Sequence, residues 1–246
     1  MPELNLAQWG LVVLAAVSIG LGKAGFAGFG MLAVLIMALV LPARESTGVV
    51  LPMLIVADVF AVAAFRKFTV WSHVLRLLPP AFLGVVTGWL LMPHIDDGAF
   101  GPLIGWITLG LLVLMLVQKL TNRLAAGVVE HPGIAWPMGW AAGVVTMLAN
   151  AAGPIMAIYL LAARLPKYKF VGTAAWYFFI VNIIKVPFSA SLGLIQPSTL
   201  LLNLALIPAI AVGIFSGRWL LGKINQTVFE WLMIGFSFLG ALRLIW

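Results

Sequence analysis

The chain of 246 residues contains no cysteine and few charged residues. Without cysteine it has no disulfide, no thiolate ligand for a metal and no cysteine nucleophile. Charged side chains make up 9% of the residues, against about 25% in a typical soluble domain. Hydrophobic residues make up 63%, and the mean hydropathy is +1.15. A soluble fold cannot bury that much apolar surface, so we expect an all-α integral membrane protein.

Ten apolar segments run along the chain, five in each half. A helix needs about 20 apolar residues to cross a bilayer, so several of these segments are short for a full crossing. The longest polar linker, residues 118–133, separates the fifth segment from the sixth. We therefore expect two repeats, residues 1–124 and 125–246, each with about five transmembrane or half-membrane helices. The segments are Leu6–Leu21, Gly28–Leu41, Gly48–Phe65, Val74–Met92, Phe100–Val117, Ala135–Leu148, Ile155–Ala163, Val171–Phe188, Thr199–Gly217 and Thr227–Ile245.

The two halves align with each other, which indicates a duplication. At an offset of 124 residues Pro42 matches Pro166. At an offset of 129, Gly84-x-x-x-Gly88 matches Gly213-x-x-x-Gly217. This spacing of small residues lets two membrane helices approach closely. We expect the motif to pack a helix in each half.

The distribution of lysine and arginine predicts the orientation. The first two segments of each half form either two thin crossings or a re-entrant pair, and three full crossings follow, so the repeats are inverted. This topology leaves Arg44 and Arg243 alone on one side, and treating each broken pair as one crossing would remove the bias. Because positive loops face the cytoplasm, both termini should be extracytoplasmic. The residues expected in the cytoplasm are Arg66, Lys67, Arg76, Lys119, Arg123, Arg164, Lys167, Lys169, Arg218 and Lys223.

Glycine and proline break an apolar run at a matching place in each half, at residues 22–30 and 149–154. In lipid such a break is tolerated where protein or a water-filled cavity satisfies the backbone, and paired breaks point to a transporter's binding site. The helix after each break begins with exposed N–H groups and the positive end of its dipole, which together favour an anion. The alternative is that the glycines only allow close packing. The candidate binding residues at the breaks are Gly25, Gly28, Gly30, Asn150, Gly153 and Pro154.

Three ionisable residues fall within or beside the apolar runs. Lys23 is a candidate binding residue if its break lies at the midplane, and an ordinary loop lysine if the first pair of segments spans the bilayer. Lys185 is a second candidate, with snorkelling to the outer surface as the alternative. Asp58 could carry a coupling proton, pair with a lysine or cap a break. The neutral candidates along the same path are Thr173, Tyr177 and Asn182.

The residue types favour transport over other functions. The chain has no HExxH motif and no midplane histidine, which argues against an intramembrane enzyme, and we expect no metal and no cofactor. A passive anion channel could use the same helix ends, whereas paired breaks would only weaken a scaffold. The net charge of +7 fits cytoplasmic loops rather than nucleic acid. The expected partners are a small anion and membrane lipid. The sequence leaves open whether the protein forms a homo-oligomer.

Several motifs in this order resemble the TauE/SafE family of sulfite exporters. The resemblance implies a bacterial inner-membrane permease for sulfite, sulfoacetate or related sulfur-containing anions. Phe26, Ala27 and Phe29 stand where family members often carry more glycine, which bears on substrate shape. The motifs are the first break with its apolar run and Pro42, Gly84-x-x-x-Gly88, Asn150-Ala-Ala-Gly-Pro154, Lys167-x-x-Phe-Val-Gly-Thr173 and Phe178-Phe-x-x-Asn182-x-x-Lys185.

Overall fold

The computed structural model describes residues 4–26, 28–121, 132–220 and 226–246. In these ranges the chain forms ten α-helices and two short 3₁₀ turns, without a strand, which confirms the all-α class. Each expected segment coincides with a helix. The helices are α1 (Leu6–Lys23), α2 (Gly28–Val40), α3 (Ala43–Phe65), α4 (Trp71–Leu91), α5 (Asp97–Thr121), α6 (Pro132–Ala149), α7 (Gly153–Ala162), α8 (Lys167–Ser191), α9 (Pro197–Leu220) and α10 (Gln226–Ile245).

Some helices extend beyond the apolar runs. Helix α1 continues to Lys23, so this lysine lies in the last helical turn rather than in the break. Helix α8 begins at Lys167 and ends at Ser191. A helix can continue through polar residues until a residue with a non-helical backbone conformation ends it. Gly25 follows α1 with a φ of 113°, and Gly193 follows α8 with a φ of 70°.

The helix lengths fit a membrane protein with incomplete crossings. In the part of the chain that the structure describes, six helices are long and apolar enough to cross a membrane. In contrast, α2 has 13 residues and α7 has 10. At 1.5 Å per residue they measure about 20 and 15 Å, well short of a hydrocarbon core of about 30 Å. The expected junction at residues 124 and 125 lies outside the described residues, as do Arg123 and Lys223 of the charge distribution.

Glycine contacts join the first helix of each half to the fourth helix of the other. A Cβ on Gly84 of α4 would meet the Trp140 carbonyl and lie 2.9 Å from the Gly143 Cα of α6. A Cβ on Gly20 of α1 would lie 2.8 Å from the Gly213 Cα of α9. The predicted packing role of Gly84 and Gly213 is therefore confirmed. The pairing of α1 with α9 is thus matched by the pairing of α6 with α4, as expected if the two halves arose by duplication. The duplication itself stays a prediction.

Candidate functional site at the two helix breaks

Both breaks contain a residue with a left-handed backbone conformation just after a helix. Gly25, just after α1, has a φ of 113°, and Asn150, just after α6, has a φ of 52°. Asparagine is among the few side chains that enter this left-handed region readily. After the second break, Gly153 and Pro154 open α7, where a proline loses no needed hydrogen bond. Each break thus ends one helix sharply and begins another within a few residues.

The two breaks line a common cavity. Its volume is about 70 Å³, and residues from α1, α2, α6, α7 and α8 contribute to its wall, together with Leu54 of α3. A buried water occupies about 10–15 Å³ on this scale, so the cavity has room for several waters or a small molecule. Much of the wall is apolar, for example Met31 and Phe178. Six predicted site residues line the cavity: Lys23, Gly25, Gly30, Asn150, Gly153 and Asn182.

Lys23, Asp58 and Asn182 form a connected polar group beside the cavity. The Lys23 Nζ lies 2.6 Å from the Asp58 Oδ1, and the Asn182 Nδ2 donates to the Asp58 Oδ2 at 2.7 Å. The Lys23 Nζ also lies 4.4 Å from the centre of the Phe178 ring. Of the roles considered for Asp58, the structure shows the pairing with a lysine. Its role in proton coupling stays a prediction.

The Lys185 ammonium is buried at the end of α6. Its side chain is 1% exposed, so it does not snorkel to the surface. The Nζ donates to the Thr146 carbonyl at 2.6 Å and to the Asn150 Oδ1 at 2.5 Å, and it lies 3.3 Å from the Thr146 Oγ1. These neutral oxygens stand at the negative end of the α6 dipole. In the described part of the chain, no carboxylate oxygen lies within 4.0 Å of this ammonium.

Asn150 ties the second break to two long helices. Its Nδ2 donates to the Thr47 carbonyl of α3 at 2.9 Å, while its Oδ1 accepts from Lys185 of α8. The residue is nearly buried and lines the cavity. Both polar atoms of its side chain are therefore engaged with protein. We infer that Asn150 acts by holding the break in place more than by direct contact with a ligand.

Other predicted residues lie outside the cavity wall. Gly28, Pro154 and Lys185 are not among the lining residues. The Thr173 Oγ1 accepts a hydrogen bond from the Val70 N–H at 3.0 Å, so it supports the connection between α3 and α4. The Tyr177 hydroxyl is buried without a hydrogen-bond partner among the described residues.

The charges around the cavity do not balance. Lys23 and Asp58 neutralise each other as an ion pair. Lys185 contributes a further positive charge and contacts neutral oxygens. A buried charge without a counterion is unfavourable by several kcal/mol. Lys185 is not itself a lining residue, but its partners Thr146 and Asn150 both line the cavity, so its charge favours an occupant that carries negative charge.

Comparison with known proteins agrees with this chemistry. A family model described as sulfite exporter TauE/SafE matches residues 11–244. The chain belongs to the TauE/SafE family. The resemblance expected from the motifs is confirmed, and the family together with six membrane-capable helices makes this a multi-pass membrane protein. No curated protein and no solved structure shows significant similarity to the chain.

Two features of this TauE/SafE protein's site escaped sequence reasoning. The first is that Phe178 and the predicted residues Asn182 and Lys185, which belong to one of the motifs quoted above, share a face of α8 that meets both halves of the site. Their spacing of four and three residues places them on one side of a helix, and that spacing is the signal that could have found the face. The second is the use of backbone carbonyls from Thr47 and Thr146, for which side-chain patterns carry no signal.

Proposed function

We propose that this TauE/SafE protein is a secondary transporter of small anions, most directly sulfite or a related sulfur oxyanion or sulfonate. The observation that carries the proposal is the buried Lys185 ammonium, whose partners among the described residues are neutral oxygens of Thr146 and Asn150, two residues that line the cavity. An anion in the cavity would supply the missing negative charge. The substrate class comes from the family, whose members are described as sulfite exporters.

The helix ends support the same site. Helix α7 begins at Gly153, and Gly30 lies in the first turn of α2; both residues line the cavity. The first N–H groups of a helix have no partner within it, and the helix dipole adds partial positive charge. Two helix N-termini and an ammonium at one cavity form a suitable environment for a small oxyanion.

Transport would proceed by alternating access, with one half moving against the other around the cavity. The close packing of α1 with α9 and of α4 with α6 lies between the two halves, so these are contacts that would have to change during such a movement. We place the protein in a bacterial inner membrane with both termini extracytoplasmic, as the charge distribution predicts.

The test is flux of radiolabelled sulfite into liposomes that contain the purified protein. We expect saturable uptake that is stimulated by unlabelled sulfite inside, because exchange across the membrane is a property of a carrier. Lys185→Met should abolish it, whereas Lys67→Met, which removes an exposed lysine, should leave it intact. Flux without saturation or exchange would indicate a channel. No flux of any anion by folded protein would contradict the proposal.

A further inference from the structure

Asp58 stands behind the cavity wall. The carboxylate is fully buried, and the two groups that hold its oxygens, the Lys23 ammonium and the Asn182 amide, both line the cavity. A ligand would therefore contact the donors and not the carboxylate. The negative charge of Asp58 nevertheless acts on the ligand through a single layer of side chains.

The charged side chains of the site give it a net charge of +1. Among the described residues, three charged groups lie at or behind the cavity wall: Lys23 lines the cavity, whereas Asp58 and Lys185 each contact residues that line it. The ion pair between Lys23 and Asp58 is neutral as a unit. Lys185, facing Thr146 and Asn150, leaves one positive charge for a ligand to match.

Building on the proposed function, we propose that Asp58 determines the charge of the transported anion. With Asp58 in place, the site matches a singly charged anion such as hydrogensulfite or an alkylsulfonate. A doubly charged anion such as sulfate would leave an excess negative charge buried beside the carboxylate. With an effective dielectric constant of about 20 and a separation of about 6 Å, one charge changes binding by about 100-fold. A hydrated cavity has a higher effective dielectric constant, which weakens this effect, so we expect a discrimination of about tenfold or more.

The first test uses the unmodified protein in liposomes at one fixed pH. Exchange of radiolabelled sulfite is inhibited with methanesulfonate, which carries one charge, or with sulfate, which has a similar tetrahedral shape and carries two. We expect methanesulfonate to inhibit at a concentration about tenfold or more below that of sulfate. Equal inhibition, or stronger inhibition by sulfate, would overturn the role of Asp58.

The second test changes the charge of the site. Asp58→Asn removes one negative charge and keeps the side-chain shape, so the preference for methanesulfonate should fall by about tenfold or more. Asp97→Asn makes the same change at an exposed residue paired with Arg44 at 3.1 Å, and should leave the preference as it was. A folded Asp58→Asn protein with an unchanged preference, or with no exchange at all, would contradict the inference.

The outcomes separate this inference from the proposed function. If the wild type exchanges sulfite but does not discriminate between methanesulfonate and sulfate, the proposed transport function is supported and the proposed role of Asp58 is contradicted. If the wild type exchanges no sulfite, both fall. If size-exclusion chromatography shows that Asp58→Asn does not fold, the discrimination measured with the wild type decides.

Discussion

Replacing only one partner of the buried ion pair between Lys23 and Asp58 should destabilise the fold, because the other charge is left without compensation. The two charges lie 2.6 Å apart, with the Asp58 side chain 0% exposed and the Lys23 side chain 11% exposed. Removing one partner of a buried pair typically costs about 3–5 kcal/mol, because the other charge is left without compensation. Lys23→Met isolates the carboxylate, which keeps only the Asn182 amide, so we expect a loss of about 2–4 kcal/mol.

The double variant should recover part of that loss. In Lys23→Met with Asp58→Asn neither member of the pair is left as an isolated charge, and the Asn182 amide can still donate to the new side chain. We expect the double variant to be about 1–3 kcal/mol more stable than the sum of the single effects predicts. The assay is reversible unfolding in mixed micelles by titration with a denaturing detergent, which yields a free energy of unfolding for each corner of the cycle.

A matched pair of charges that do not touch provides the control. Lys67 follows the end of α3, whereas Asp97 pairs with Arg44 at the beginning of that helix. The cycle of Lys67→Met with Asp97→Asn should be additive within about 0.5 kcal/mol. If the Lys23 and Asp58 cycle were equally additive, the ion pair would not contribute as the structure indicates.

Three further predictions concern packing, the second break and a residue outside the cavity. Gly84→Ala should lower the free energy of unfolding by about 1–3 kcal/mol, because the new methyl group meets the α6 backbone, while Gly110→Ala, with open space around it, should be neutral or stabilising in the same assay. Asn150→Gly should be about 1 kcal/mol more stable than Asn150→Ala, because glycine enters the left-handed region without penalty; equal stabilities would remove backbone conformation as the reason for asparagine. Thr173→Val should lower stability by about 1–3 kcal/mol by leaving the Val70 N–H unpaired, yet keep the sulfite concentration for half-maximal exchange; a shift in that concentration would place Thr173 in the binding site.

The breaks could be predicted from sequence because glycine and proline act locally. The chain ends a helix near Gly25 and begins another at Gly153 for reasons contained within a few residues. The ten apolar runs likewise predicted ten helices, since an apolar run in a membrane satisfies its backbone hydrogen bonds within a helix even where, as in α2 and α7, it is too short to cross.

Partners across the fold could not be predicted in the same way. Asp58 and Lys23 lie on different helices, and nothing in either segment specifies the pairing, so three roles for Asp58 stayed open. Thr173 was assigned to the polar path because it is polar and within a membrane run, although its side chain faces the connection between α3 and α4. When almost all residues of a helix are apolar, the sequence does not indicate which side of the helix faces which neighbouring helix.

Lys185 shows how side-chain direction decides between two sequence-based alternatives. The nearer predicted surface lies toward the C-terminal end of α8, which favours snorkelling. Side chains in an α-helix lean toward the N-terminal end, however, and this directs the ammonium away from that surface. The end of α6 then offers carbonyl and amide oxygens from Thr146 and Asn150.

Equilibrium binding of radiolabelled sulfite to the purified protein in detergent is the most direct measurement of an anion site between the two breaks. We predict saturable binding by the wild type and by Lys67→Met, and a loss of affinity of at least about tenfold in folded Lys185→Met. Wild-type affinity in the Lys185→Met protein would contradict a site that depends on this buried ammonium.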